Sequence, residues 1–177
     1  MTPAPVVHQH VVHNHVVHNH VVNHIGINVP DLHAAVAWYA AVLGFQVIRS
    51  AVDVVAGQGG AGKRFKQLNG PRFAKARVAY LTAGNGVGIE MFEFVEPRTG
   101  RFADDWEFWR PGIWHLCVTT PDVATFAAEI AAKGGRHRTE VIESPPGSGL
   151  SLTFCQDPWG NPIELMNASF DWTAEAS

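Results

Sequence analysis

Charge is what this chain has least of. Only 16% of its 177 residues are Asp, Glu, Lys or Arg, and the formal net charge is -3. Such a chain has no global basic field, so neither nucleic acid nor a membrane surface is expected as a partner. Cysteine is almost absent. Cys117 and Cys155 both fall in stretches that read as interior strands. Two buried thiols fit a reducing, cytoplasmic compartment better than a disulfide framework. No apolar run approaches the roughly 20 residues that cross a bilayer. The N-terminus lacks the basic region and unbroken apolar core of a secretory signal. Glycine is plentiful, yet there is no G-x-x-x-x-G-K-[ST] and no strand-bounded G-x-G-x-x-G, which argues against a nucleotide loop. What is present is a 46% hydrophobic composition, enough for a substantial core in one large domain or two half-domains.

One stretch occurs twice. His24-Ile-Gly-Ile-Asn-Val-Pro-Asp31 precedes an apolar-periodic run that reaches Leu43-Gly44-Phe45. His115-Leu-Cys-Val-Thr-Thr-Pro-Asp122 precedes another that reaches Gly134-Gly135. The period is far too long for a solenoid, so the pattern is that of a duplicated half-domain. In the first copy Ile25, Ile27 and Val29 alternate with His24, Gly26 and Asn28. In the second, Trp114, Leu116 and Val118 alternate with His115, Cys117 and Thr119. Each copy therefore predicts a strand with one greasy face and one face bearing a His. Pro30 and Pro121 end the strands, and Asp31 and Asp122 stand where helix caps are favoured. The helical stripes are Ala34, Ala35, Trp38, Tyr39, Val42 and Leu43, then Val123, Phe126, Ile130 and Ala131.

Residues 1–20 form a His-rich low-complexity tail of Val-Val-His-x-His pentads. A five-residue period matches neither strand nor helix, so the tail is read as low-complexity expansion; His-rich tracts can also collect metal. The folded domain is expected to span 21–170, as modules 21–97 and 111–170, with 171–177 a C-terminal tail. Phe45 to Ala51 reads as a strand. Val52 to Lys75, rich in Gly and in base, reads as a long loop. It is either a solvated surface segment or a lid in which Lys63, Arg64 and Lys66 meet an anionic small-molecule substrate. Arg77 to Thr82, the Gly84-Asn85-Gly86 turn and Val87 to Phe94 form a hairpin in which Glu90, Phe92 and Phe94 share a face. The linker 98–111 carries Phe102, Trp106, Phe108 and Trp109, which are expected to pack. In the second half, Arg138 to Ile142, Leu150 to Gln156 and Pro162 to Met166 read as strands. Each half is thus β-α-β-β-β, with a His on its first strand and a Glu on its last.

His24, Glu90, His115 and Glu164 all lie on the strand faces that helices leave free. If the two sheets face one another, two neutral imidazoles and two carboxylates converge, a donor set suited to one divalent cation. A lone inward His is usually a satisfied core residue. Four ligand-type residues at equivalent places are harder to explain as structure.

The chain resembles the vicinal oxygen chelate superfamily, which includes glyoxalase I, bleomycin-resistance proteins and extradiol dioxygenases. The residues that carry the resemblance are His24 to Leu32, Trp38-Tyr39, Leu43-Gly-Phe45, Gly88-Ile-Glu90, Trp114-His115 and Asp157-Pro-Trp-Gly-Asn-Pro-Ile-Glu164. The resemblance implies an α+β fold in which two βαβββ modules form a cupped mixed sheet around a metal-binding cavity. It is strongest toward glyoxalase I-like proteins. That implies a homodimeric lyase or isomerase using one Ni, Zn or Co ion per site, held by His24, Glu90, His115 and Glu164. Glu90 or Glu164 then moves a proton on a small substrate with vicinal oxygens, through an enediolate. No separate cofactor-binding residues are implied. Two alternatives stand beside it. One is an Fe(II) extradiol-type dioxygenase with His24, His115 and Glu164 as its triad; Phe154 stands where that family usually has Tyr. The other is a non-catalytic protein that sequesters a ligand.

Overall fold

The computed structural model describes residues 20–100 and 106–176. The first half begins with β1 (His24–Asn28), whose alternate residues are exposed and half-buried as the pattern predicts. Val29 is fully buried behind it. The helix α1 (Leu32–Val42) is capped by Asp31, whose carboxylate accepts from Ala34 N at 3.1 Å. Next come β2 (Gln46–Val55), α2 (Gly59–Asn69), β3 (Lys75–Thr82) and β4 (Gly88–Glu96). They form a sheet in the order β1-β4-β3-β2, with β1 parallel to β4 and the other pairs antiparallel. The second half has β5 (Leu116–Thr119) and α3 (Val123–Ala132), capped by Asp122 through Thr125 N at 3.0 Å. Then follow β6 (Arg136–His137), β7 (Ile142–Glu143), β8 (Ser151–Gln156) and β9 (Pro162–Met166). These give a second mixed sheet, β5-β9-β8-β6, with β7 also on β8. A short helix, α4 (Phe170–Ala176), closes the chain.

The α+β duplication is as expected, but several elements differ from the sequence reading. The segment 52–75 is not a loop. β2 continues to Val55, and α2 follows. Its three glycines and low apolar content hide a helix that intrinsic propensity would not favour. Tertiary contact holds it instead. Gly62 lies so close to β2 that a Cβ there would stand 1.9 Å from Val55 O. Phe65 is buried against Phe73 and Phe92, with ring centroids 5.7 and 6.2 Å away. In the second half, the strand expected over 138–142 is broken between β6 and β7. Hydroxyls take over the ladder there: Thr139 Oγ1 accepts from Phe154 N, and Thr153 Oγ1 donates to Thr139 O. β5 starts only at Leu116, so the alternation does not reach back to Trp114, which leaves the greasy face. Trp114 packs instead on Trp106, Phe108 and Phe154. Of the linker aromatics, Trp106 packs, whereas Phe108 and Trp109 are largely exposed. Phe102 lies outside the described residues, as does nearly all of the 1–20 tail. Cys155 is buried as expected, but Cys117 is exposed, because it lies on the free face of β5.

A single apolar core joins the halves. Ala35, Trp38 and Tyr39 of α1 meet Ala127 and Ile130 of α3, over Ile89 and Met91 of one sheet and Ile163 and Leu165 of the other. Trp38 Nε1 donates to Lys133 O at 2.9 Å, and Tyr39 Oη donates to Asp157 Oδ2 at 2.9 Å. Asp157 is buried because Trp159 N and Asn161 N also donate to it as the turn closes. Burial pushes its carboxyl up, and these donors oppose that. Tyr39, buried beside that carboxylate, is pushed well above the ordinary phenol value, first by burial. The shared core lies on the α1 and α3 side of the sheets; the opposite faces carry the His residues, and α2 covers part of the first of them through Phe65 on Phe92.

Candidate metal centre

The free face of the first sheet carries His24 and Glu90, with His24 Nε2 3.4 Å from Glu90 Oε2. Parallel pairing of β1 with β4 sets this up by placing His24 opposite Gly88 and Gly26 opposite Glu90. Gly88 is needed at that place: a Cβ there would lie 2.9 Å from His24 Cβ. His24 Nδ1 sits 2.8 Å from Asn23 Oδ1. With the proton on Nδ1, that bond leaves Nε2 as a free donor atom toward Glu90.

The second sheet repeats the arrangement. His115 Nε2 lies 3.0 Å from Glu164 Oε2, and β9 aligns Glu164 with Cys117. Although Cys117 is exposed as a residue, its thiol is partly desolvated beside Glu164 and is pushed up to about 12, by that desolvation first and then by the carboxylate. His115 Nδ1 is buried and has no hydrogen-bond partner among the described residues. Aromatic packing positions the ring instead, with Phe154 5.4 Å away.

These spacings suit a metal. Two donors each about 2.1 Å from one cation lie about 3.0 to 3.4 Å apart at octahedral to tetrahedral angles. Each pair therefore has the chemistry and the spacing of half a divalent site. The structure brings His24 to Glu90 and His115 to Glu164, but it does not bring the two pairs together. Among the described residues no group of three or more His, Cys, Asp and Glu is placed to hold an ion. The cause is the shared core, which turns the helix faces of the two sheets toward each other.

Two cavities adjoin the pairs. An open cleft of about 870 Å³ has His115, Trp114, Tyr39 and Trp159 in its walls, together with Gly26 and Asn28 of β1. A smaller one, of about 440 Å³, lies under α2 and is bordered by Glu90. His24 and Glu164 border neither of these two. Tyr80, unnoticed in the sequence, is the strand partner of Glu90, and Phe154 is the strand partner of Glu164. The signal was available: both pairs are ten positions apart (80 to 90, 154 to 164). The Tyr80 phenol is raised, by burial first and then by the Glu90 carboxylate.

A family profile described as the Glyoxalase/Bleomycin resistance protein/Dioxygenase superfamily matches residues 21–165. The chain belongs to that superfamily. A 2-epi-5-epi-valiolone epimerase from Actinomyces sp. is 30% identical over 147 residues, which cover 81% of this chain and 77% of the epimerase. Among solved structures, a glyoxalase family protein from Bacillus cereus superposes with a TM-score of 0.68 at 17% identity, covering 84% of this chain and 95% of its own. Glyoxalase I of Leishmania major, described as trypanothione-dependent, superposes at 0.59 with 22% identity, covering 89% and 94%. At these identities the two structures establish the superfamily fold, two mixed sheets that do not close into a barrel. No described helix is long and apolar enough to cross a membrane.

Proposed function

We propose that this chain is a metal-dependent lyase or isomerase of the superfamily, acting as a homodimer on a small substrate with two neighbouring oxygens. The observation that carries the reading is the duplicated His–Glu pair, at 3.4 Å in one half and 3.0 Å in the other. Similarity to a relative named as an epimerase supports proton transfer at carbon. His24, Glu90, His115 and Glu164 would hold one Ni, Zn or Co ion once a second copy of the chain sets the pair of one half opposite the pair of the other. The chemistry supplied by such an ion is that of a Lewis acid, which polarises adjacent substrate oxygens and offsets the charge left when a neighbouring C–H loses its proton.

The chain's own residues do the rest. Glu90 borders a cavity and Glu164 does not border either of the two described, which favours Glu90 as the carboxylate that works on substrate. Its Oε atom takes the proton from one carbon and returns it to the next carbon. Phe92 and Phe94, stacked at 5.8 Å, wall that cavity and limit water around the base.

The test is turnover under argon, with Ni, Co or Zn supplied, of a 2-oxoaldehyde–thiol adduct and of small 2-hydroxy ketones. Metal-dependent, oxygen-independent turnover is expected. Turnover only with Fe(II) and O₂ would make the chain an extradiol-type dioxygenase. Tight ligand binding without metal would make it a sequestering protein.

A further inference from the structure

The basic residues between 63 and 77 do not share one role. Lys66 Nζ donates to Pro71 O at 2.6 Å and Phe73 O at 2.9 Å, which ties down the end of α2. Lys75 pairs with Asp53 at 2.9 Å, and Arg77 pairs with Glu93 at 2.7 Å. These three are engaged in holding the first half together. Arg64 differs. It forms no ion pair among the described residues, and it borders the α2 cavity together with Glu90, Asn28, Leu68, Phe92 and Phe94. Lys63, its neighbour, is exposed like Arg64 but does not border that cavity.

The position of Arg64 is set by the residues around it. Gly62 presses α2 against Val55, and Phe65 drives into the Phe73–Phe92 cluster. With both neighbours of the 63–64 step fixed, the helix turn that carries Arg64 is fixed, and its exposed side chain borders the Glu90 cavity. Glu90 does not neutralise it, since the Glu90 carboxylate is turned to His24. The cavity therefore has an unpaired guanidinium at one place, an apolar stacked wall in the middle and the proposed base at another.

We propose that Arg64 anchors a carboxylate on the substrate, whose flat or apolar body lies against Phe92 and Phe94. A planar guanidinium binds a carboxylate through two parallel N–H···O bonds. One positive charge matches a monoanion, whereas a dianionic phosphate would keep an uncompensated charge near Glu90. The carboxylate assignment rests on α2 alone. Only the placing of the substrate's vicinal oxygens near Glu90 rests on the function proposed above.

The experiment uses two probes of one shape, 3,4-dihydroxybenzoate and 3,4-dihydroxybenzamide. Both carry vicinal oxygens, and only the first carries a carboxylate. Their Kd values are measured by calorimetry on the full-length chain, nickel-loaded and metal-free. Wild-type protein is expected to prefer the benzoate by about tenfold. Arg64→Gln is expected to bring that ratio close to one while leaving the benzamide affinity in place, and Arg64→Lys to retain part of it. Lys63→Gln is expected to keep the full ratio. A ratio near one in wild type, a ratio that survives Arg64→Gln, or no binding of either probe would overturn the proposal. Metal removal reports separately. If it weakens both probes alike, the metal reading holds. If it weakens neither while the Arg64-dependent ratio persists, the anchor stands and the metal reading falls.

Discussion

In the first half His24 is held by a hydrogen bond to Asn23, and Glu90 lies beside Tyr80 under a helix. In the second half His115 is held by ring packing, and Glu164 lies beside Phe154 and Cys117. The donor atoms end up at nearly the same separation. The two halves share the strand pairing that sets His against Glu and differ in its surroundings. The first half became a cavity with charge at its rim. The second carries a cluster of Trp106, Trp114 and Phe154, with Arg138 4.7 Å over the Trp106 ring, and His115 walls the wider, open cleft. On the function proposed above, the first half would meet the substrate and the second would support the ion.

The sharpest way to break this division is to neutralise each carboxylate. Glu90→Gln is expected to keep most of the metal and lose about 100-fold or more in kcat. Glu164→Gln is expected to lose metal, with activity restored in part by excess ion. Metal titration beside kinetics checks both, and identical behaviour of the two variants would erase the difference between the halves.

Smaller effects come from backbone contact. Gly62→Ala places a methyl against Val55 O and must displace α2. It is expected to cost about 1–3 kcal/mol in urea unfolding and to weaken probe binding. Gly135→Ala, whose Cβ would lie 2.5 Å from Gln156 O, is expected to cost a similar amount while leaving probe affinity unchanged. Tyr39→Phe leaves the buried Asp157 without one of its donors. A loss of about 1–3 kcal/mol is expected, read from the same unfolding curves, with the metal pairs undisturbed.

The smallest expected effect is an exchange of the strand partners. Tyr80→Phe makes the first half resemble the second and removes the hydroxyl beside Glu90. A two- to tenfold fall, roughly, in kcat/KM is expected. Phe154→Tyr does the reverse and should change kcat/KM by less. A larger effect from Phe154→Tyr would place the working carboxylate in the second half.

Much of this was legible in the residues, for local reasons. Strand alternation at His24–Val29 and caps at Asp31 and Asp122 depend on near neighbours, so the duplicated plan and both His–Glu pairs could be read off. α2 could not, because Gly62 and Phe65 are helical only against Val55, Phe73 and Phe92, contacts that no local pattern reports. The break at Thr139 was hidden for a related reason, since a side-chain hydroxyl replaces a ladder bond there. The exposure of Phe108 and Trp109 shows that apolar identity alone does not bury a linker residue. Which faces of the two sheets oppose each other is a property of the core that α1, α3 and both sheets share. For that reason the convergence of all four ligands, conditional in the sequence, is not met among the described residues of one chain.

The central claim is that two pairs from different halves serve one ion. Its most direct test is metal stoichiometry in His24→Ala, His115→Ala and the double variant, on chains that begin at Val21 so that the pentad histidines do not contribute. The account predicts about one ion per chain in the unsubstituted protein, lost in either single variant, with no further loss in the double. Two ions per chain, each lost only with its own histidine and additive in the double variant, would contradict it.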